Sequence, residues 1–300
     1  MSYRGIVRSS ALPFLLAGAF FVLGCSGDGS PAAPAGTVGA AQALGVRHEG
    51  KPNASSVVLV IMENRHYNLI IGSPHAPYIN GTLLPQAALM TNSHATTHPS
   101  EPNYLAIFSG SAQGVTDDSC PHTFKTPNLG DELLGAGATF GGYSESMPRD
   151  GFKGCYYGNL YARKHNPWVN FSNVPASSNL VWHGFPKVPP TVAIVVPNLC
   201  NDMHDCSTRT GDNWLKATLP SILQYDSDNN GLLILTWDEA SPDANGKNQI
   251  ATLLLGPMIV PGKYGQDIDH YAVLHTIEAI TNIACTANAC KAPLIKGIWK

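Results

Sequence analysis

Unbroken hydrophobic blocks, mostly β-branched, punctuate the chain. Val57-Val58-Leu59-Val60-Ile61-Met62, Thr191-Val192-Ala193-Ile194-Val195-Val196, Leu232-Leu233-Ile234-Leu235-Thr236-Trp237 and Ala251-Thr252-Leu253-Leu254-Leu255 are four of them, and Ala138 to Tyr143 is a weaker fifth. A half-wet strand alternates apolar and polar residues, so unbroken blocks predict strands buried on both faces, as in parallel sheets. Helical spacing falls between them. Pro102 to Phe108 is one helix, and Asp131 to Leu134 opens another. Asp212 to Tyr225 carries Trp214, Leu215, Leu219, Ile222 and Leu223, with Asp212 as its expected N-cap, and His270 to Thr281 is a fourth. The alternation predicts one α/β domain over residues 54–300. Its central sheet is mostly parallel with helices on both faces, and a loop-rich excursion spans residues 113–185.

The first segment departs from this pattern. Arg4 and Arg8 precede an apolar run from Ala11 to Gly24, and no acidic residue comes before Asp28. That is the layout of an export signal, and the run is short for a membrane span. It ends Val22-Leu23-Gly24-Cys25, which resembles a bacterial lipobox, so residues 1–25 read as a signal/lipoprotein segment with Cys25 the lipidated residue. Residues 26–53 are rich in Gly, Ala and Pro and read as a flexible tether. The expectation is an outer-membrane or cell-surface lipoprotein touching the membrane through Cys25, or a secreted or periplasmic protein if Cys25 is not acylated.

Composition narrows the partners. Of 300 residues 44% are hydrophobic, enough for a sizeable core, and only 13% are charged, about half the usual share. A net charge of -3 lacks the basic excess of nucleic-acid binders. Beyond Cys25, six cysteines remain: Cys120, Cys155, Cys200, Cys206, Cys285 and Cys290. None lies in a C-x-x-C, and an even number in an exported chain reads as disulfides. The local pairs Cys200–Cys206 and Cys285–Cys290 are the most economical, leaving Cys120–Cys155.

Three strands end in polar chemistry. In open α/β sheets, ligands bind beyond the carboxyl ends of the strands. Glu63-Asn64 follows the first block and Asp238-Glu239 the third, and a polar turn from Asn198 to Asp205 follows Val196. Glu63, Asn64, Asp238 and Glu239 offer hard oxygen ligands for one divalent cation, with Mg, Ca or Mn favoured. Ser100, two residues before Pro102, falls at a helix N-terminus, where a Ser is either an N-cap or a nucleophile beside free backbone donors. His204 sits in the polar turn with Asp202 and Asp205 placed to orient it.

In order, the chain carries Met62-Glu63-Asn64-Arg65, His98-Pro99-Ser100-Glu101-Pro102-Asn103-Tyr104, Tyr161-Ala162-Arg163-Lys164-His165-Asn166-Pro167-Trp168, Asn201-Asp202-Met203-His204-Asp205 and Trp237-Asp238-Glu239. This ordered set resembles the bacterial phosphoesterase family of acid phosphatases and non-specific phospholipases C, over roughly residues 55–300. It is most similar to the family's short secreted acid phosphatases. The resemblance implies an alkaline-phosphatase-like fold, a hydroxyl nucleophile at Ser100, and metal ligation by Glu63, Asn64, Asp238 and Glu239. The expected reaction is hydrolysis of phosphomonoesters, on small molecules or phospholipid headgroups, through a phosphoseryl intermediate. Ser100, His165 and His204 are the expected catalytic residues; Lys164, Asn103 and Asp202 are expected around the substrate. In larger members a Gly-rich, His-containing segment follows the acidic pair. Here Ala240-Ser241-Pro242-Asp243 follows it, which puts phospholipase C-type diester cleavage second and a non-catalytic phosphate-ester-binding lipoprotein third.

Overall fold

A computed structural model of the chain describes residues 53–241 and 247–300. The expected signal segment, the acylation of Cys25 and the tether up to residue 52 lie outside the described residues. Ten strands are described: β1 (Ser56–Met62), β2 (Ala88–His94), β3 (Phe140–Ser144), β4 (Tyr156–Tyr157), β5 (Tyr161–Ala162), β6 (Asn179–Val181), β7 (Val192–Val196), β8 (Gly231–Trp237), β9 (Gln249–Leu255) and β10 (Gly262–Asp269). The α-helices are α1 (Tyr67–Ile70), α2 (Ser100–Ser109), α3 (Leu129–Gly135), α4 (Thr208–Asn229) and α5 (His270–Thr281).

Eight strands form one sheet in the order β10-β2-β9-β8-β1-β7-β3-β6. All run the same way except β9, which is antiparallel to both neighbours, β8 and β2. The unbroken hydrophobicity of β1 now has its reason. Val57, Leu59 and Ile61 pack on one side with residues of α2 and α5 such as Tyr104, Leu105, Phe108, Leu274 and Ile277. Val58, Val60 and Met62 pack on the other with Leu215, Leu219 and Ile222 of α4. Successive strand residues point to opposite faces, so two covered faces require apolar residues at every position.

The parallel register positions the chemistry. Met62 pairs with Trp237, and the Asp238 amide donates to the Met62 carbonyl at 2.8 Å. Glu63 and Asp238 therefore leave the sheet side by side, and the Glu63 amide donates to the Asp202 carbonyl at 2.8 Å, drawing the loop after β7 to the same edge.

Two features differ from the sequence reading. Helix α4 starts earlier than its apolar stripe, with Ser207 as N-cap, its Oγ accepting from the Thr210 amide at 3.2 Å. Asp212 is a buried residue one turn inside and accepts from the Tyr78 and Ile79 amides at 3.0 and 2.9 Å. The polar first turn, Thr208-Arg209-Thr210, hid the true start. The sheet also has three members outside the blocks read from the sequence: β2, β6 and β10. The three disulfides are Cys120–Cys155, Cys200–Cys206 and Cys285–Cys290, the economical pairing. No helix among the described residues is long and apolar enough to cross a membrane.

Candidate active site

Ser100 opens α2, behind Pro99 as N-cap, and is buried. Its hydroxyl donates to Glu63 Oε2 at 3.2 Å and also interacts with Asp238. The helix start is held by Asn103. That side-chain oxygen accepts from the Thr96 and Thr97 amides at 3.1 and 3.0 Å and from the Thr96 hydroxyl at 2.8 Å. Its amide nitrogen donates to the Thr97 and Pro99 carbonyls at 2.8 and 3.1 Å. Asn103, expected around the substrate, thus spends its hydrogen bonds on the loop that delivers Ser100.

Facing Ser100 is an ion pair sealed from solvent. His165 Nε2 lies 3.0 Å from Glu63 Oε1, and Nδ1 lies 3.5 Å from Asp202 Oδ2. Tyr104, one turn along α2 from Ser100, stacks on the His165 ring at a centroid distance of 5.1 Å. Burial penalises the imidazolium, but the two carboxylates outweigh it and push His165 up to about 9. Burial likewise favours a neutral Glu63, yet His165, with His204 and Lys164, holds it down at about 2. Asp202, expected around the substrate, is fully buried. Its Oδ1 accepts from the His204 amide at 2.7 Å.

His204 and Lys164 reach toward solvent. His204 Nδ1 pairs with Asp205 Oδ1 at 2.7 Å, and its Nε2 lies 3.5 Å from Lys164 Nζ. Lys164 is anchored by Asp118 at 2.8 Å, which keeps the ammonium above its usual range despite burial. Asp118 also accepts from the Glu101 amide at 3.0 Å, so one carboxylate ties Lys164 to the first turn of α2. Asp118, in a polar loop, had no signal as a site residue. Glu101 and Tyr104 lay inside the 98–104 motif, but no role was read for either.

Asp238 and Glu239 part company after β8. Asp238 Oδ1 accepts from the Asn64 amide at 3.1 Å, with Asn64 in the left-handed region at φ +50°, which Asn tolerates. Glu239 turns to His98, whose Nδ1 lies 2.6 Å from Oε2, and to Asn103 Nδ2 at 3.5 Å. His270 supports the pair from behind, Nε2 to the Asp238 carbonyl at 2.6 Å. Burial, then the charges of Glu63 and Glu239, push Asp238 well above the carboxylate range; burial and Glu63 push Glu239 up to about 8.

This crowding suits a cation. Glu63, His165 and His204 each offer a ligand atom, all within 4.8 Å of one another. Asp238 Oδ2 is buried without a hydrogen-bond donor, and Glu63 Oε1 and Asp202 Oδ2 meet only the His165 ring between them. Close-set buried carboxylate oxygens short of donors are what a divalent ion would satisfy. The group that converges includes two imidazoles, a softer donor set than the expected all-oxygen one.

A sequence profile of the Phosphoesterase family matches residues 75–284. The chain is 45% identical over 268 residues to the phosphatidylinositol-3-phosphatase of Mycobacterium tuberculosis, covering 87% of this chain and 88% of that protein. It is 32% identical to an acid phosphatase of Aspergillus fumigatus over 66% of this chain, and spans 49% of that longer protein. Among solved structures it is similar to an alkaline phosphatase superfamily protein from Vibrio parahaemolyticus, with a TM-score of 0.58 at 11% identity, covering 82% of this chain and 72% of the other. The fold is alkaline-phosphatase-like, and the enzyme class, from the phosphatase relatives, is phosphoric monoester hydrolase. The chain belongs to the phosphoesterase family.

Proposed function

We propose that the chain is an exported, cation-assisted acid phosphatase in which Ser100 is the nucleophile. The observation that carries this is the Ser100 hydroxyl, 3.2 Å from Glu63 Oε2 at the start of α2, facing His165, His204 and Lys164. A divalent cation held by Glu63 and Asp238, with Asn64 and Glu239 or with His165 and His204 completing the set, would neutralise phosphate charge and favour the Ser100 alkoxide.

The chain's own residues supply the rest. Asn103 and the 96–99 loop orient Ser100, whose proton passes to the carboxylate group around it. The Ser100 oxygen bonds to phosphorus in line as the bond to the leaving oxygen breaks. Lys164 binds phosphoryl oxygens, and with the all-oxygen ligand set on the cation His204 is left to bind them too and to give the leaving oxygen its proton. Water then cleaves the phosphoseryl ester and Ser100 regains its proton.

The relative's name makes a lipid-borne phosphomonoester the first physiological substrate to try. Hydrolysis of p-nitrophenyl phosphate and of a matched diester by wild type and Ser100→Ala tests the reading, with elemental analysis before and after chelation. The expected result is monoester turnover that falls at least about 1000-fold in Ser100→Ala. Turnover retained in that variant, or diester cleavage outrunning monoester cleavage, removes the proposal.

A further inference from the structure

The hairpin β4–β5 exposes large hydrophobic side chains at the rim of this site. Tyr156 is 63% exposed, Tyr157 54% and Leu160 41%, half of the exposed large hydrophobic residues described. Its two strands pair Tyr156 with Ala162 and Tyr157 with Tyr161. β5 then runs directly into Arg163-Lys164-His165, so the hairpin and two site residues share one short segment.

The base of the hairpin is pinned. Cys155 is bonded to Cys120, and the Cys155 carbonyl accepts from the Arg163 amide at 2.9 Å. The buried Arg163 guanidinium donates to Asn170 Oδ1 and to the carbonyls of Lys153, His122 and Val169 at 2.8 to 3.2 Å. The Leu160 carbonyl accepts from the Leu199 amide at 3.0 Å, joining the tip to the loop that carries His204. Tyr157 leans edge-on against Phe152, ring centroids 6.1 Å apart, yet stays more than half exposed, as does Tyr156.

Adjacent strand residues point to opposite faces. Tyr156 and Tyr157 are both exposed, so both faces of β4 present an aromatic ring. A flat protein partner would cover one face. A medium that surrounds the hairpin covers both. Tyrosine has an apolar body and a polar tip, which suits the boundary between acyl chains and water, and exposed Lys153 at the base suits lipid phosphates.

We propose that the β4–β5 hairpin inserts into the surface of a phospholipid bilayer and seats the site over phosphomonoesters carried by lipids. This deepens the phosphatase reading and rests on it for the substrate, while the docking itself does not require turnover.

The test uses the exported full chain with Cys25→Ser in every arm, so that acylation contributes to none. Flotation with phosphatidylcholine/phosphatidylserine vesicles reads docking. Hydrolysis of phosphatidic acid in vesicles and of soluble p-nitrophenyl phosphate reads turnover. Tyr156→Ser/Tyr157→Ser/Leu160→Ser is expected to lose about tenfold or more in flotation and in vesicle turnover, with soluble turnover within about twofold of wild type. Tyr156→Trp/Tyr157→Trp is expected to keep flotation. A parent chain that does not float, or a serine variant that floats and hydrolyses vesicles like the parent, overturns the proposal and leaves the hairpin to a protein partner. Absent soluble turnover in the parent would defeat the phosphatase reading alone, since flotation still reports on the hairpin.

Discussion

His165 Nε2 sits 3.0 Å from Glu63 Oε1, with both side chains closed to solvent. Each is the other's compensation: the imidazolium cancels a carboxylate that burial would otherwise neutralise. A cation bound to Glu63 does the same work, so proton and metal compete for one site. That relationship yields the first prediction. His165→Gln should cost about 2–4 kcal/mol of stability in metal-free protein, because it strands a buried charge. Glu63→Gln with His165→Gln should recover part of the loss. Urea unfolding of the two singles and the double measures the coupling; purely additive losses would show that the pair is not a unit.

The Cys200–Cys206 bridge closes a short loop around His204. In the chain-entropy model that closure contributes about 2 kcal/mol. Within the loop, the Asp205 amide donates to the Leu199 carbonyl at 2.7 Å, and Arg65 donates to the Cys206 carbonyl at 2.7 Å. Cys200→Ser/Cys206→Ser should therefore lower turnover much more than melting temperature. Unchanged turnover with a lowered melting temperature would make the bridge a staple only.

Asp226 lies in the last turn of α4, 1% exposed, with neither carboxylate oxygen hydrogen-bonded. Burial pushes it from 3.8 up to about 7. The folded state holds this proton more tightly than the unfolded chain. The group is therefore neutral in both states at low pH, and its penalty grows as pH rises from about 4 to about 7. Asp226→Asn should match wild type near pH 4 and exceed it by up to about 4 kcal/mol at pH 8. Thermal unfolding across that range checks the sign. A gain at pH 4 equal to that at pH 8 would trace the effect to packing instead.

Membrane retention through Cys25 is the fourth prediction. Cys25→Ser should shift most of the protein from the membrane fraction to the medium, because stable anchoring needs an acylated sulfur and hairpin docking alone is reversible. Immunoblotting of fractions, with the mass of the mature N-terminus, reads the outcome; an unmodified mature terminus away from Cys25 would mean simple secretion.

The central strands were legible because burial on two faces leaves no room for polar residues. β10 was not, since it lies at the sheet edge and reads Gly-Lys-Tyr-Gly-Gln-Asp-Ile-Asp, largely exposed. β2 hid for another reason. Ser93 and Thr252, both buried, satisfy each other at 2.8 Å, so polar residues persist inside the sheet. In the site, sequence order flagged the residues that follow strands. Asp118 escaped because its role is to hold Lys164, a contact made across 46 residues of irregular chain.

The clamp formed by Asn103 has a consequence for how the enzyme can vary. The backbone at residue 100 is set by an amide three residues on, while the hydroxyl at 100 reaches across to Glu63. In the proposed reaction, what attacks would thereby be uncoupled from where it stands. A threonine at 100 would inherit the same address, while an alanine at 103 would leave the serine in place chemically but let its lodging wander. Reorganisation that would otherwise be repeated at each catalytic cycle is settled once, when the chain folds.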